Sequence, residues 1–116
     1  ALVGAWTSDS GTDMTITSTT WYSFDPTYGT STWNIEAIGV GWILAQNAAT
    51  NTYHPSKWSL FQFHTSGSGY GFCQTFYDGA SAIAVLSADT STLYDSADAT
   101  TGCGSFNSPH TILTAA

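Results

Sequence analysis

Apolar and polar residues alternate with a period of two along most of this chain, the pattern of strands that bury one face. Asp13 to Ser18 is the cleanest case, with Met14 and Ile16 on one face and Asp13, Thr15 and Thr17 on the other. Val3 to Ser8 precedes it across a Ser10-Gly11 turn, and Trp21 to Phe24 comes after a short break. Asp25-Pro26 and Tyr28-Gly29 mark a loop. Thr32 to Ile38 then groups Trp33, Ile35 and Ala37, and Val40 to Gln46 groups Val40, Trp42 and Leu44. Only Gly39 parts these two runs, which predicts either a tight hairpin or one bulged strand.

Asn47 to Pro55 is a polar loop. Lys57 to His64 places Trp58 and Leu60 on one side and Phe61 and Phe63 on the other. Ser66 to Gly69 is a turn, and Tyr70 to Tyr77 is the antiparallel partner. This hairpin is apolar on both faces, which predicts cover on each side. After Asp78 the period changes: Ala80, Ile83, Ala84 and Ser87 have helical spacing, so a short helix is expected over 79–88 with Asp78 as N-cap. Residues 89–104 form a polar loop, and His110 to Thr114 a last short strand. The expectation is an all-β fold, a small antiparallel meander over a single domain, 1–116, closing into a barrel or a strongly curved sheet. Closure removes exposed strand edges, which a chain with one lysine cannot guard by charge.

Composition narrows the function classes. Hydrophobic residues make up 42% and aromatic residues 15% of the chain, enough for a real core and too many for a disordered tail. Charged residues are only 8%, with Lys57 the sole cation and a net charge of −7. Such a chain cannot build the basic footprint that nucleic acid or an anionic membrane requires. No window reaches the roughly 18 apolar residues of a transmembrane helix, so membrane insertion is not expected. The chain begins at Ala1 rather than Met, which suits a processed, exported protein.

Cys73 and Cys103 are the only cysteines. With this uncharged polar surface, a disulfide between them and a secreted or cell-surface location are expected. The chain-entropy model gives about 3.5 kcal/mol for such a loop. The bond would pin the helix-and-loop excursion, roughly 79–101, back onto a central strand.

Few residues point to chemistry. Most of the five Trp are expected in the core, but Trp21, Tyr22, Tyr53 and His54 lie beside loops and are the candidate ligand-binding residues. Their ring faces can pack on the C–H faces of sugars while Asn and Gln bond the hydroxyls. His54, His64 and His110 lack metal-ligand spacing, and no nucleophile motif accompanies them. Asp89, Asp95 and Asp98 share one loop, without the spacing of a calcium loop. Asp25 and Glu36 would act as a glycosidase pair only if the fold brought them together. Gly67, Gly69 and Gly71 lack the lysine of a phosphate loop and read as turn residues. No cofactor or metal is expected.

Two resemblances enter. Gly4-Ala5-Trp6 resembles the Gly-x-Trp that opens lipocalin-like barrels, which implies a barrel with the Trp plugging one end. Ile43 to Asn47, Tyr53 to Ser59, Phe72 to Asp78 and Gly102-Cys103-Gly104 together resemble an uncharacterised group of small secreted or lipid-anchored bacterial β domains. That likeness spans roughly 40–106 and implies export and the disulfide. It implies no activity.

Three functional expectations remain. The first is a non-catalytic structural or assembly subunit of the cell surface, such as a layer, appendage or filament, partnered by further copies of itself. The second is a module binding carbohydrate or a small apolar ligand. The third is a secreted hydrolase.

Overall fold

The alternating segments pair with their neighbours in the chain, and the last returns to the first. In this computed structural model, which describes residues 2–116, eight strands run β1 (Gly4–Ser8), β2 (Asp13–Ile16), β3 (Thr20–Asp25), β4 (Gly29–Gly39), β5 (Trp42–Asn47), β6 (Trp58–Ser66), β7 (Gly69–Gly79) and β8 (Thr111–Ala115). Every pairing is antiparallel, and β1 with β8 closes the barrel. The one helix, α1 (Ala82–Leu86), lies in the long excursion between β7 and β8. Among the described residues no helix is long and apolar enough to cross a membrane.

Alternation sends one set of side chains inward. Leu2, Met14, Ile16, Trp21, Ile43, Ala45, Phe61, Phe72 and Leu113 form the buried interior, with Trp6, Trp33, Ile35, Phe63 and Tyr70 packed on it. The rings meet in the geometry their quadrupoles favour: Trp21 stacks on Phe61 at 4.2 Å, and Trp33 meets Phe61 edge-on at 5.4 Å. Leu2 fills the end where β1 begins, and the Trp6 indole N–H donates to its carbonyl at 2.7 Å.

Outward side chains of β5 and β6 form a second cluster. Leu44, Leu60 and Val85 are buried there, joined by Trp42, Trp58 and Phe76. The β6–β7 hairpin is thus covered on both faces. The excursion lies along β6 like a strap: Val85 packs over Leu60, the Gln62 amide donates to Thr90, and His64 bonds Tyr94. Cys73 and Cys103 are bonded and tie the return of the strap to β7.

Three local expectations need correction. β4 and β5 form a tight hairpin, and Val40 is at its fully exposed tip instead of in a strand with Trp42. Gly41, at φ 77°, supplies the left-handed residue that this turn needs. The helix is shorter than residues 79–88, because β7 continues to Gly79 and pairs it with Trp58. Ser81, not Asp78, is the N-cap, accepting from the Ala84 N–H. Ile83 is left in solvent while Val85 faces the barrel, packed so closely on Gly79 that a Cβ there would lie 2.2 Å from Val85 Cγ2.

Candidate functional site

The barrel interior is filled at its centre, but one mouth is open. It lies where β5 and β7 end and β4 and β6 begin. The cavity is about 200 Å³. Its aromatic walls are Trp33, Tyr53, His54 and Tyr77, and its polar positions are Ser31, Asn47, Asn51 and Gln74. No Asp, Glu, Lys or Arg lines it, on a chain whose net charge is −7.

The β5–β6 loop is shaped around Asn47. This residue is 3% exposed, and its amide donates to His54 O at 2.9 Å and to Tyr77 O at 2.8 Å. Its main chain adds bonds from Asn47 N to Lys57 O and from Ser56 N to Asn47 O. These ties hold His54 (φ 50°) and Ser56 (φ 62°) in the left-handed region, a conformation that non-glycine residues adopt only when neighbours over-determine it. Asn51 grips β4 through a two-way pair with the Thr32 main chain. Below the loop, the Ser59 hydroxyl donates to Asn47 Oδ1 and accepts from Gln74 Nε2. β7 aims Gln74 inward in step with Phe72 and opposite Phe61, before an extra residue at Thr75 shifts the register against β6 and turns Phe76 outward.

The four candidate residues separate. Tyr53 and His54 line the mouth, with the His54 ring 4.9 Å from that of Tyr77. Tyr22 faces outward on β3, 42% exposed and away from the cavity. Trp21 corrects the expectation of exposure: it is fully buried. It comes directly after a turn, but its register opposite Ile16 and Trp33 places it in the core, where its indole N–H has no partner among the described residues. Sequence reasoning missed Trp33, Asn47, Gln74 and Tyr77 as mouth residues. Their inward alternation was legible, but the height at which the core stops was not.

The remaining candidates fall elsewhere. Asp25 pairs with Gly29 and stands some seven residues along β4 from Glu36, about 20 Å at the usual strand rise and far beyond a glycosidase pair. Asp25 instead caps the β3–β4 turn, where the Thr27 and Tyr28 N–H groups hold its carboxyl below the usual range. Asp89, Asp95 and Asp98 each bond the main chain of their own turns. The Thr101 hydroxyl and N–H bring Asp98 down to about 2. Among the described residues no group of three or more His, Cys, Asp or Glu is placed to hold a metal.

Two histidines do meet. His64 on β6 and His110 before β8 lie with ring centroids 5.0 Å apart, and His64 Nδ1 is 2.7 Å from the Tyr94 hydroxyl. His110 is 3% exposed; its Nε2 is 3.0 Å from Asp95 O, and its Nδ1 has no partner among the described residues. Burial, and then His110, push His64 below the usual imidazole value. Burial pushes Tyr94 up. Together these contacts pin the strap to the outer wall.

Comparison with family models, curated proteins and solved structures finds no match for this chain.

Proposed function

We propose that the protein is a non-catalytic binding module whose open mouth takes one ring of a neutral, hydroxyl-rich ligand, a sugar above all. The observation that carries this is the lining itself: three aromatic rings and an imidazole beside amides and a hydroxyl, with no formal charge. Aromatic faces favour the C–H face of a pyranose, and amides suit its hydroxyls. A cavity of about 200 Å³ suits a single ring, not a long chain. It is smaller than the roughly 300 Å³ at which drug-sized sites begin, so a larger apolar ligand fits poorly. Uncharged walls on an acidic chain disfavour anionic ligands.

About a dozen heavy atoms at about −0.3 kcal/mol each give an affinity near the millimolar range. Titrating methyl glucoside, galactoside, mannoside and N-acetylglucosamine, monitored by NMR, tests this. Shifts confined to the mouth are the expected result; no saturable shift with any of them would remove the reading.

Self-association is the second reading. A groove of about 240 Å³ lies between α1 and the outer wall, lined by Trp42, Leu60, Val85 and the half-exposed Leu86. With one cation and few charges, copies would repel weakly per unit area. Sedimentation over a wide concentration range tests it: a strict monomer would exclude it. The disulfide fits export to an oxidising compartment, which is proposed with either reading.

A further inference from the structure

We infer that Gln74 fixes the polarity of the mouth: its side-chain carbonyl is held as a hydrogen-bond acceptor at the floor, so the bound ring must place a hydroxyl or N–H donor against it. This rests on the mouth being the ligand site. Amide oxygen and nitrogen are told apart by their hydrogen-bond network, and here the network leaves one solution. It starts at two main-chain carbonyls, which can only accept.

His54 O and Tyr77 O both lie within bonding distance of the Asn47 amide, at 2.9 and 2.8 Å. Both therefore face its NH₂ group, and its two protons are used. Asn47 Oδ1 is then an acceptor, and the single Ser59 hydroxyl proton goes to it. Ser59 Oγ has no proton left for Gln74, so it accepts, and the Gln74 atom 3.0 Å away is Nε2. Gln74 Oε1 is turned away from Ser59 and has no partner among the described residues, while Gln74 itself lines the cavity. Asn47 is 3% exposed and Ser59 is fully buried, so bulk water has little access to reverse the order.

The floor thus shows a carbonyl of fixed direction, with the second Nε2 proton as an extra donor. A hydroxyl can satisfy it, because it both donates and accepts. A methoxy or ring-ether oxygen only accepts and would leave Oε1 desolvated and unpaired. Gln74 is therefore the specificity-determining residue, and Ser59 and Asn47 are positioning residues behind it.

The test has two arms read by NMR on the intact, disulfide-bonded protein. In the first, without ligand, one Gln74 side-chain amide proton should exchange slowly, and Ser59→Ala should release it. Free-amide exchange of both protons in the native protein would overturn the orientation, whatever the ligand. In the second, the glycoside that binds best is compared with its mono-O-methyl derivatives, and Gln74→Met with the native protein. One O-methyl derivative and Gln74→Met should each lose about tenfold or more in affinity, the loss of one buried bond. Ser59→Ala, which keeps Gln74 but frees it, should lose less and should discriminate less against that derivative. Binding of Gln74→Met and of every O-methyl derivative within about twofold of the parent would overturn the inference and leave the binding site standing. Failure of all glycosides to bind would overturn the site reading itself, with the exchange arm still deciding how Gln74 points.

Discussion

Asn47→Ala should be the most informative single change to this barrel, because one side chain ties the β5–β6 loop, the end of β7 and the floor of the mouth together. The substitution removes three side-chain hydrogen bonds, to His54 O, Tyr77 O and Ser59 Oγ. At about 1 kcal/mol net each, the loss is about 3 kcal/mol. The mouth opens beside these groups, so water can re-solvate some of them, and about 2 kcal/mol is the lower bound. For a domain of this size that corresponds to a fall in Tm of about 10 °C. Asn47→Asp sharpens the test. It has nearly the same shape, but its carboxylate has no proton to give the two carbonyls, so it should be at least as damaging as alanine. Urea denaturation measures both, as a shift in midpoint at unchanged slope. If both variants stay within about 0.5 kcal/mol of the native protein, the loop is not built around this amide and the account of the mouth fails.

Four further outcomes are expected. Cys73→Ala with Cys103→Ala should cost about 3.5 kcal/mol by the loop-entropy model, with faster hydrogen exchange over residues 80–110 and little change in β1–β4. Val85→Ala should cost about 2 kcal/mol and change the fluorescence of Trp42 and Trp58, which share its cluster. Trp21→Phe should cost less than its buried volume suggests, since it removes a buried indole N–H that has no partner; a loss near that of a Trp-to-Ala change, about 4 kcal/mol, would contradict this. The His64 value is depressed in the folded state, so the unfolded chain binds its proton first on acidification. The stability contributed by neutral His64 is present above the unfolded value of 6.5 and is lost as pH falls below it through the folded value, so Tm should drop between pH 7 and 5 and His64→Gln should flatten that step. Asp25, Asp89 and Asp98, all depressed, add a separate loss below their unfolded value of 3.8.

The architecture was legible because strand alternation carries most of it. Met14 and Ile16, Phe61 and Phe63, and the two-faced hairpin of β6 and β7 all take the sides that their spacing implies. The Cys73–Cys103 bond was legible on other grounds, two cysteines in a chain with an uncharged polar surface, and the strap it holds from the change of period after Asp78. Register and bulges set the features that the sequence concealed. Trp21 lies next to a turn in the chain yet at the centre of the core in space. The extra residues at Glu36 and Thr75 re-aim the strand residues beyond them, and no local signal announces them. The mouth was half visible: Tyr53 and His54 were marked by their loop, whereas Trp33, Asn47, Gln74 and Tyr77 come from three different strands. Trp33 and Asn47 face each other across β4 and β5, and the curl of the sheet brings Gln74 and Tyr77 of β7 to the same mouth. The meeting of His64, Tyr94 and His110 likewise needs the strap to be folded down over β6.

The most direct test of the central claim is the indole region of a ¹⁵N–¹H spectrum during titration with neutral methyl glycosides. Trp33 lines the mouth, while Trp21 is sealed beneath it and serves as an internal reference. The account predicts that the Trp33 indole signal moves saturably with at least one glycoside while Trp21 stays nearly still, and that Asn47→Ala weakens the response. A Trp33 signal indifferent to every glycoside, or shifts that track Trp42 and the outer groove instead, would contradict it.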